Sequence, residues 1–403
     1  MLLLFLIALI FSSALKIPLH LTQSPTSLSY TKQSSTLISQ PILEKLNWFL
    51  VIPISIGTPG QEISLLIDTL YPYSWVAGTN SYNSKIPYFN SSVSSSYYNL
   101  SIPFSIIFSD PGVLEQYIGS LSTETFMISN ISAYNQVFLL AEMFINATAI
   151  YNNGFIGFGY KSFAQNYSTL VENLKSQKQI SRAIFSFYIN NLASWEEKLM
   201  LIGEVAEKYV KVSGTDVQIV KNSSTWTVII DSVTIGDIVI DQNVIAEMII
   251  SKYYIFAPIE SVNVLVDYIK SKVKSCTVYT NQSPVCVCNE NDLEEFPDIV
   301  FTFNGTEFLL DAGSYISKES TKCSLLIFPN EGSSWILGNV FFNQYYVVHD
   351  YDNDKIIIFH EPSEKSYIYE FIGACAVVFV VLVAIFIMKK KDSHNSHRYM
   401  SME

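Results

Sequence analysis

The chain has 403 residues, enough for two separately cored halves of about 150–200 residues each. It is 49% hydrophobic and 14% aromatic, which permits a large core, and the many Tyr and Phe suit a β-rich protein. A formal net charge of −12 argues against a nucleic-acid partner, because a phosphate backbone needs a basic face.

In chain order, residues 1–14 are an apolar run closed by the small residues Ser12, Ser13 and Ala14, the pattern of a cleaved signal peptide. Residues 15–46 are Ser/Thr/Gln-rich with little periodicity and read as a flexible lead-in strand. From Trp48 the text changes to short apolar or alternating runs bounded by turn residues, the grammar of a β-protein. Val51–Ile56, Ile63–Asp68 and Ser74–Val76 read as the first strands, and Ser81–Leu100 as a surface loop. Phe104–Phe108, a turn over Ser109-Asp110-Pro111-Gly112, and Tyr117–Met127 read as a hairpin. Helical spacing appears at Leu170, Leu174 and Ile180, and further apolar runs lie at Phe185–Ile189 and Leu199–Val205. A second set follows over Trp226–Gly236, Pro297–Phe303, Trp335–Phe342, Tyr345–His349 and Lys355–His360.

The span Ile368–Met388 is apolar apart from Glu370 and long enough to cross a bilayer. Lys389-Lys390-Lys391 follows it, as on the cytoplasmic side of a stop-transfer segment. The expectation is a type I membrane protein. Its body is then lumenal or extracellular, residues 363–388 form the juxtamembrane and transmembrane helix, and residues 389–403 are cytosolic. Cysteine use agrees with that compartment. Cys276, Cys286, Cys288 and Cys323 allow three pairings, and Cys286 and Cys288 are too near in sequence to pair easily. The pairs expected are Cys276–Cys286 and Cys288–Cys323; the Cys-x-Cys spacing does not suit zinc, and no metal site is expected. N-x-S/T sequons fall at Asn90, Asn99, Asn130, Asn146, Asn166, Asn222, Asn281 and Asn304, all before the span.

Two stretches carry a resemblance. Ile56-Gly57-Thr58-Pro59-Gly60-Gln61 is followed by Ile67-Asp68-Thr69-Leu70-Tyr71-Pro72-Tyr73-Ser74-Trp75-Val76, and Asn153-Gly154-Phe155-Ile156-Gly157-Phe158-Gly159 comes later. These resemble the first active-site segment and the glycine-rich strand of the pepsin-like aspartic proteases, and the match runs in order from about Phe49 to Phe359. The resemblance implies a mainly β, bilobal pepsin-like acid-protease fold with an interlobe cleft, its lobes at residues 47–206 and 207–362. It also implies a prosegment-like role for the lead-in and a flap over the cleft, with Phe108 near its tip.

Such an enzyme needs no cofactor. It needs two carboxylates so close that they share one proton, each on an Asp-Thr-Gly loop. Here Asp68 and Thr69 keep the first loop, but Leu70 replaces Gly and Tyr71 replaces Ser. In the second, aligned on Ala246 and Pro258, Ile249 stands for Asp, Ile250 for Thr, Ser251 for Gly and Lys252 for Thr. Asp231 in Ile230-Asp231-Ser232 mimics a motif but fits a strand further upstream, and Glu247 lies a residue pair from the required position. If the Lys252 ammonium reaches the floor of the cleft, it pairs with Asp68. The expectation is a membrane-anchored homologue without normal activity that binds an extended peptide or a partner protein. The rival expectations are an active aspartic endopeptidase with non-standard loops and a structural glycoprotein with a filled cleft. Other hydrolases find no support, since G-x-S-x-G, H-E-x-x-H and P-loop patterns are absent.

Overall fold

The computed structural model describes residues 15–18, 20–23, 48–79, 88–110, 113–145, 153–161, 167–189, 198–205, 213–273, 276–277, 283–288 and 292–360. The expected signal peptide and membrane span lie outside these residues, as do Asn146, Asn166 and Asn281. Among the described residues no helix is long and apolar enough to cross a membrane.

The first half is built from β1 (Leu15–Pro18), β2 (His20–Gln23), β3 (Trp48–Ile56), β4 (Gln61–Asp68), β5 (Ser74–Ala77), β6 (Tyr98–Asp110), β7 (Val113–Ile128), β8 (Ile131–Ile145), β9 (Gly154–Gly157), α1 (Leu170–Ser176), β10 (Ile184–Ile189) and β11 (Lys198–Ile202). The second half continues with β12 (Thr215–Gln218), β13 (Thr227–Ile235), β14 (Ile238–Met248), β15 (Ile255–Pro258), α2 (Ile259–Lys272), β16 (Cys276–Thr277), β17 (Val285–Val287), β18 (Ile299–Phe303) and β19 (Thr306–Leu310). It ends with α3 (Ala312–Tyr315), β20 (Ile316–Glu319), β21 (Lys322–Leu325), β22 (Ile327–Asn330), β23 (Trp335–Leu337), α4 (Asn339–Phe342), β24 (Tyr346–Asp350) and β25 (Lys355–Phe359).

Three large sheets organise these elements. One has the order β2-β3-β4-β9-β5-β8-β7-β6, and another β19-β18-β13-β14-β23-β15-β22. The third, β1-β11-β10-β24-β25-β12, takes strands from both halves and so joins them. Alternation explains the strands: in β4, Ile63, Leu65 and Ile67 enter the core, while Glu62 and Ser64 face out. Each such buried Ile or Leu contributes about 1.5–3 kcal/mol. A smaller sheet, β16-β17-β21-β20, carries the two disulfides, Cys276–Cys286 and Cys288–Cys323.

The described part of the lead-in is strand: β1 lies antiparallel to β11, and β2 to β3, so its backbone groups pair with existing strands. The expected loop over 81–100 is also partly structured. Phe89 is fully buried between Tyr97 and Phe138, and β6 already begins at Tyr98. The helix expected near Leu170 stops at Ser176, before Ile180; Thr169 and Glu172 cap its start reciprocally. Helix α2 is not among the elements expected above, although Val262, Leu265, Val266 and Ile269 have helical spacing and are all buried.

The joining sheet buries two adjacent titratable side chains on β24, His349 and Asp350. His349 of β24 is fully buried, stacked on Phe185 at 4.5 Å between ring centroids and flanked by Trp226 and Phe342. Neither ring nitrogen has a hydrogen-bond partner among the described residues, and burial pushes its pKa down to about 3.

Candidate active site

Two loops meet where the halves abut, and both are delivered in the same way. β4 runs parallel to β9, with Asp68 opposite Gly157, and β14 runs parallel to β23, with Met248 opposite Leu337. Past those strand ends, the Phe158 N–H donates to the Asp68 carbonyl at 2.7 Å, and the Ile249 N–H donates to the Leu337 carbonyl at 3.1 Å. A glycine guards each loop: a Cβ on Gly159 would strike the backbone at Tyr71 and Pro72, and one on Gly338 the carbonyls of Tyr254 and Lys252. Trp226, from the second half, donates Nε1–H to the Phe158 carbonyl at 2.8 Å and braces the first loop from behind.

Thr69 fixes the register between the loops. Its hydroxyl donates to the Met248 carbonyl at 2.9 Å and accepts from the Ile250 N–H at 3.0 Å. These two partners flank Ile249, so Ile249 is the second loop's counterpart of Asp68. Ile249 and Asp68 are both buried, at 3% and 1% exposure. Ile250, where a Thr would return the same clasp, has no hydroxyl, so the interlobe lock is one-sided.

The Asp68 carboxyl accepts three hydrogen bonds. The Leu70 N–H reaches Oδ1 at 3.0 Å, the Tyr71 N–H reaches Oδ2 at 3.3 Å, and the Ser251 hydroxyl reaches Oδ1 at 2.6 Å from the opposite loop. Burial raises its pKa, against the opposing pull of Ser251, then of the two backbone N–H groups, and last of the Lys252 charge. No second carboxylate is hydrogen-bonded to Asp68 among the described residues. The group facing it across the interface is therefore a neutral hydroxyl.

The other sequence candidates sit as follows. Lys252 lies with its ammonium 5.8 Å from the centre of the Phe256 ring and is the weakest of the four influences lowering Asp68's pKa. Asp231 lies on β13, and its Oδ2 accepts the Gly305 N–H at 2.8 Å in the β18–β19 turn. Glu247, on β14, accepts the Thr225 hydroxyl at 3.1 Å. Phe108 belongs to β6 and pairs with Glu115 of β7 in the hairpin; its side chain lies outside the described residues. Leu70 is half-buried beside the carboxyl it serves through its N–H. Asn99, Asn130, Asn222 and Asn304 are exposed; Asn90 is half-buried, and its Oδ1 accepts the Ser92 N–H at 3.1 Å.

Sequence reasoning did not foresee that Ser251 would reach Asp68, nor that Tyr71 would reach the hairpin. Tyr71 donates its hydroxyl to the Ile107 carbonyl at 2.7 Å, and Tyr73 and Trp75 pack on Phe104 and Tyr117 of the same hairpin.

A mainly β body in two halves, with an Asp-Thr loop clasped to its counterpart by a threonine hydroxyl, defines the architecture of an aspartic protease. The model of the eukaryotic aspartyl proteases matches residues 50–360. The chain is 28% identical to pepsin A of Bos taurus over 347 residues, which cover 81% of this chain and 88% of that protein. It is also 28% identical to pepsin B of Canis lupus familiaris over 341 residues, 81% of this chain and 85% of the relative. The chain belongs to the eukaryotic aspartyl protease family.

Proposed function

We propose that this protein is a membrane-anchored aspartyl protease homologue that does not hydrolyse peptides and instead binds an extended peptide or a partner protein at the cleft. The observation carrying this reading is the second loop: Ile249 stands opposite Asp68 in the register set by Thr69, and Ser251 gives Asp68 a hydroxyl. Peptide hydrolysis by this family's chemistry needs one carboxylate to activate water while another protonates the scissile carbonyl. A lone buried carboxyl, its pKa raised by burial, has no second carboxylate with which to divide the acid and base roles. Binding needs no such pair, because an extended chain is held by backbone hydrogen bonds along a strand edge. The membrane anchor is residues 368–388, the apolar run ahead of Lys389-Lys390-Lys391.

The rival reading, an active endopeptidase, draws on family membership and on the retained Asp68 and Thr69. A random peptide library incubated with the full chain at acidic and neutral pH separates the two. The expected result is saturable binding with no new cleavage products. Cleavage abolished by Asp68→Asn overturns the proposal in favour of the endopeptidase. Neither binding nor cleavage leaves a structural glycoprotein.

A further inference from the structure

The segment after Asp68 reaches the β6–β7 hairpin three times, from alternate residues. Tyr71 hydrogen-bonds the Ile107 carbonyl at 2.7 Å. Tyr73 meets Phe104 edge-on, with ring centroids 5.3 Å apart, and Trp75 stacks on Tyr117 at 4.2 Å. Trp75 and Tyr117 are buried in a cluster with Ile106, Leu121 and Leu139, so the hairpin's base is packed. Ile107 is different: its side chain is 47% exposed, and it lies three residues from the end of β6 at Asp110. There the hairpin is tied to the first loop by the Tyr71 hydroxyl.

We infer that Tyr71 is a latch that closes the hairpin over the Asp68 loop. Its N–H holds the Asp68 carboxyl while its hydroxyl holds the hairpin, so one residue couples the two. β6 is the last strand of its sheet, and the Ile107 carbonyl is the kind of backbone group to which an added extended chain would bond. The Tyr71 hydroxyl already occupies it. If the binding reading above holds, a peptide entering beneath the hairpin competes with Tyr71 for this carbonyl, and occupancy is a displacement. The phenol stays a donor throughout the physiological range, because burial, and then the charge of Asp68, push its pKa up to about 12.

Tyr71→Phe removes the hydroxyl and keeps the ring. Hydrogen exchange of the full chain, followed residue by residue, reads the latch without any ligand. The expected result is about fivefold faster exchange of amides from Phe104 to Ile118, with α2 and β18 unchanged, as for loss of one neutral hydrogen bond. Tyr345→Phe removes a phenol-to-carbonyl bond to Leu309 in the second half and leaves the hairpin rates as they were. Hairpin rates unchanged in Tyr71→Phe overturn the latch, as does equal acceleration throughout the body. Failure of the exchange test leaves the peptide-binding reading standing. Failure to bind library peptides, with a hairpin response to Tyr71→Phe, sinks that reading and keeps the latch.

Discussion

Asp68 and Ile249 leave matched strands, each parallel to a neighbour from later in its own half and each beside a glycine that admits the next backbone. The frames correspond and the cargo does not. The first loop ends in a carboxyl with three donors; the second presents an isoleucine, then a serine that serves the first loop's carboxyl. The frame is set by backbone pairing and close packing, which many side chains satisfy. The chemistry depends on one side chain per loop. A fold can therefore outlive its reaction, and the surviving half of a dyad is settled by hydrogen bonds rather than by catalysis.

The largest expected effect comes from giving the second loop the first loop's chemistry. Ile249→Asp buries a second carboxyl beside Asp68 and should cost about 4 kcal/mol at pH 7, and less at pH 4, where protonation relieves it. Urea denaturation at both pH values reads this; a loss below about 1 kcal/mol at pH 7 would mean that the interface still accepts a dyad. Thr69→Val keeps the shape and strands the Met248 carbonyl and the Ile250 N–H. It should cost about 2–3 kcal/mol, and a change under about 0.5 kcal/mol would remove Thr69 as the clasp.

Smaller again, Ser251→Ala should cost about 1–2 kcal/mol. It should also raise the Asp68 pKa further, because Ser251 is the strongest of the influences lowering it. A carboxyl-carbon NMR titration measures that shift, and a fall in pKa would contradict the assignment. Asp68→Asn should act in the opposite sense. A raised carboxyl pKa stabilises the fold below the unfolded value of 3.8, and that contribution is lost as pH rises through the folded pKa. The variant should therefore gain stability relative to the parent at pH 7 and lose that advantage near pH 3. An advantage that grows toward low pH would show that Asp68 is held ionised.

The strand pattern was legible because alternation with the core is written along each segment, as in Ile63, Leu65 and Ile67. The two motif loops were legible from their spacing, and so was the alignment of Ile249 with Asp68. What Ser251 does was not, because the direction of a loop side chain depends on two strands that meet across about 180 positions of sequence. Likewise, β1 and β2 pair with edges offered by β11 and β3, and their own composition carries no sign of those edges. Tyr71 looked like a defect in a motif until the hairpin supplied its partner.

His349, at the seam between the halves, has a consequence for proton traffic. Its imidazole is neutral in the fold, whereas an unfolded chain protonates it below 6.5, so folding there releases a proton and stability falls as pH drops toward about 3. Asp68 runs the other way: above 3.8 the unfolded carboxyl has lost a proton that the fold retains. Between 3.8 and 6.5, as far up as Asp68 keeps its proton, one group takes up what the other gives off. In that range the two groups tilt stability against pH in opposite directions, so each offsets part of the other's contribution.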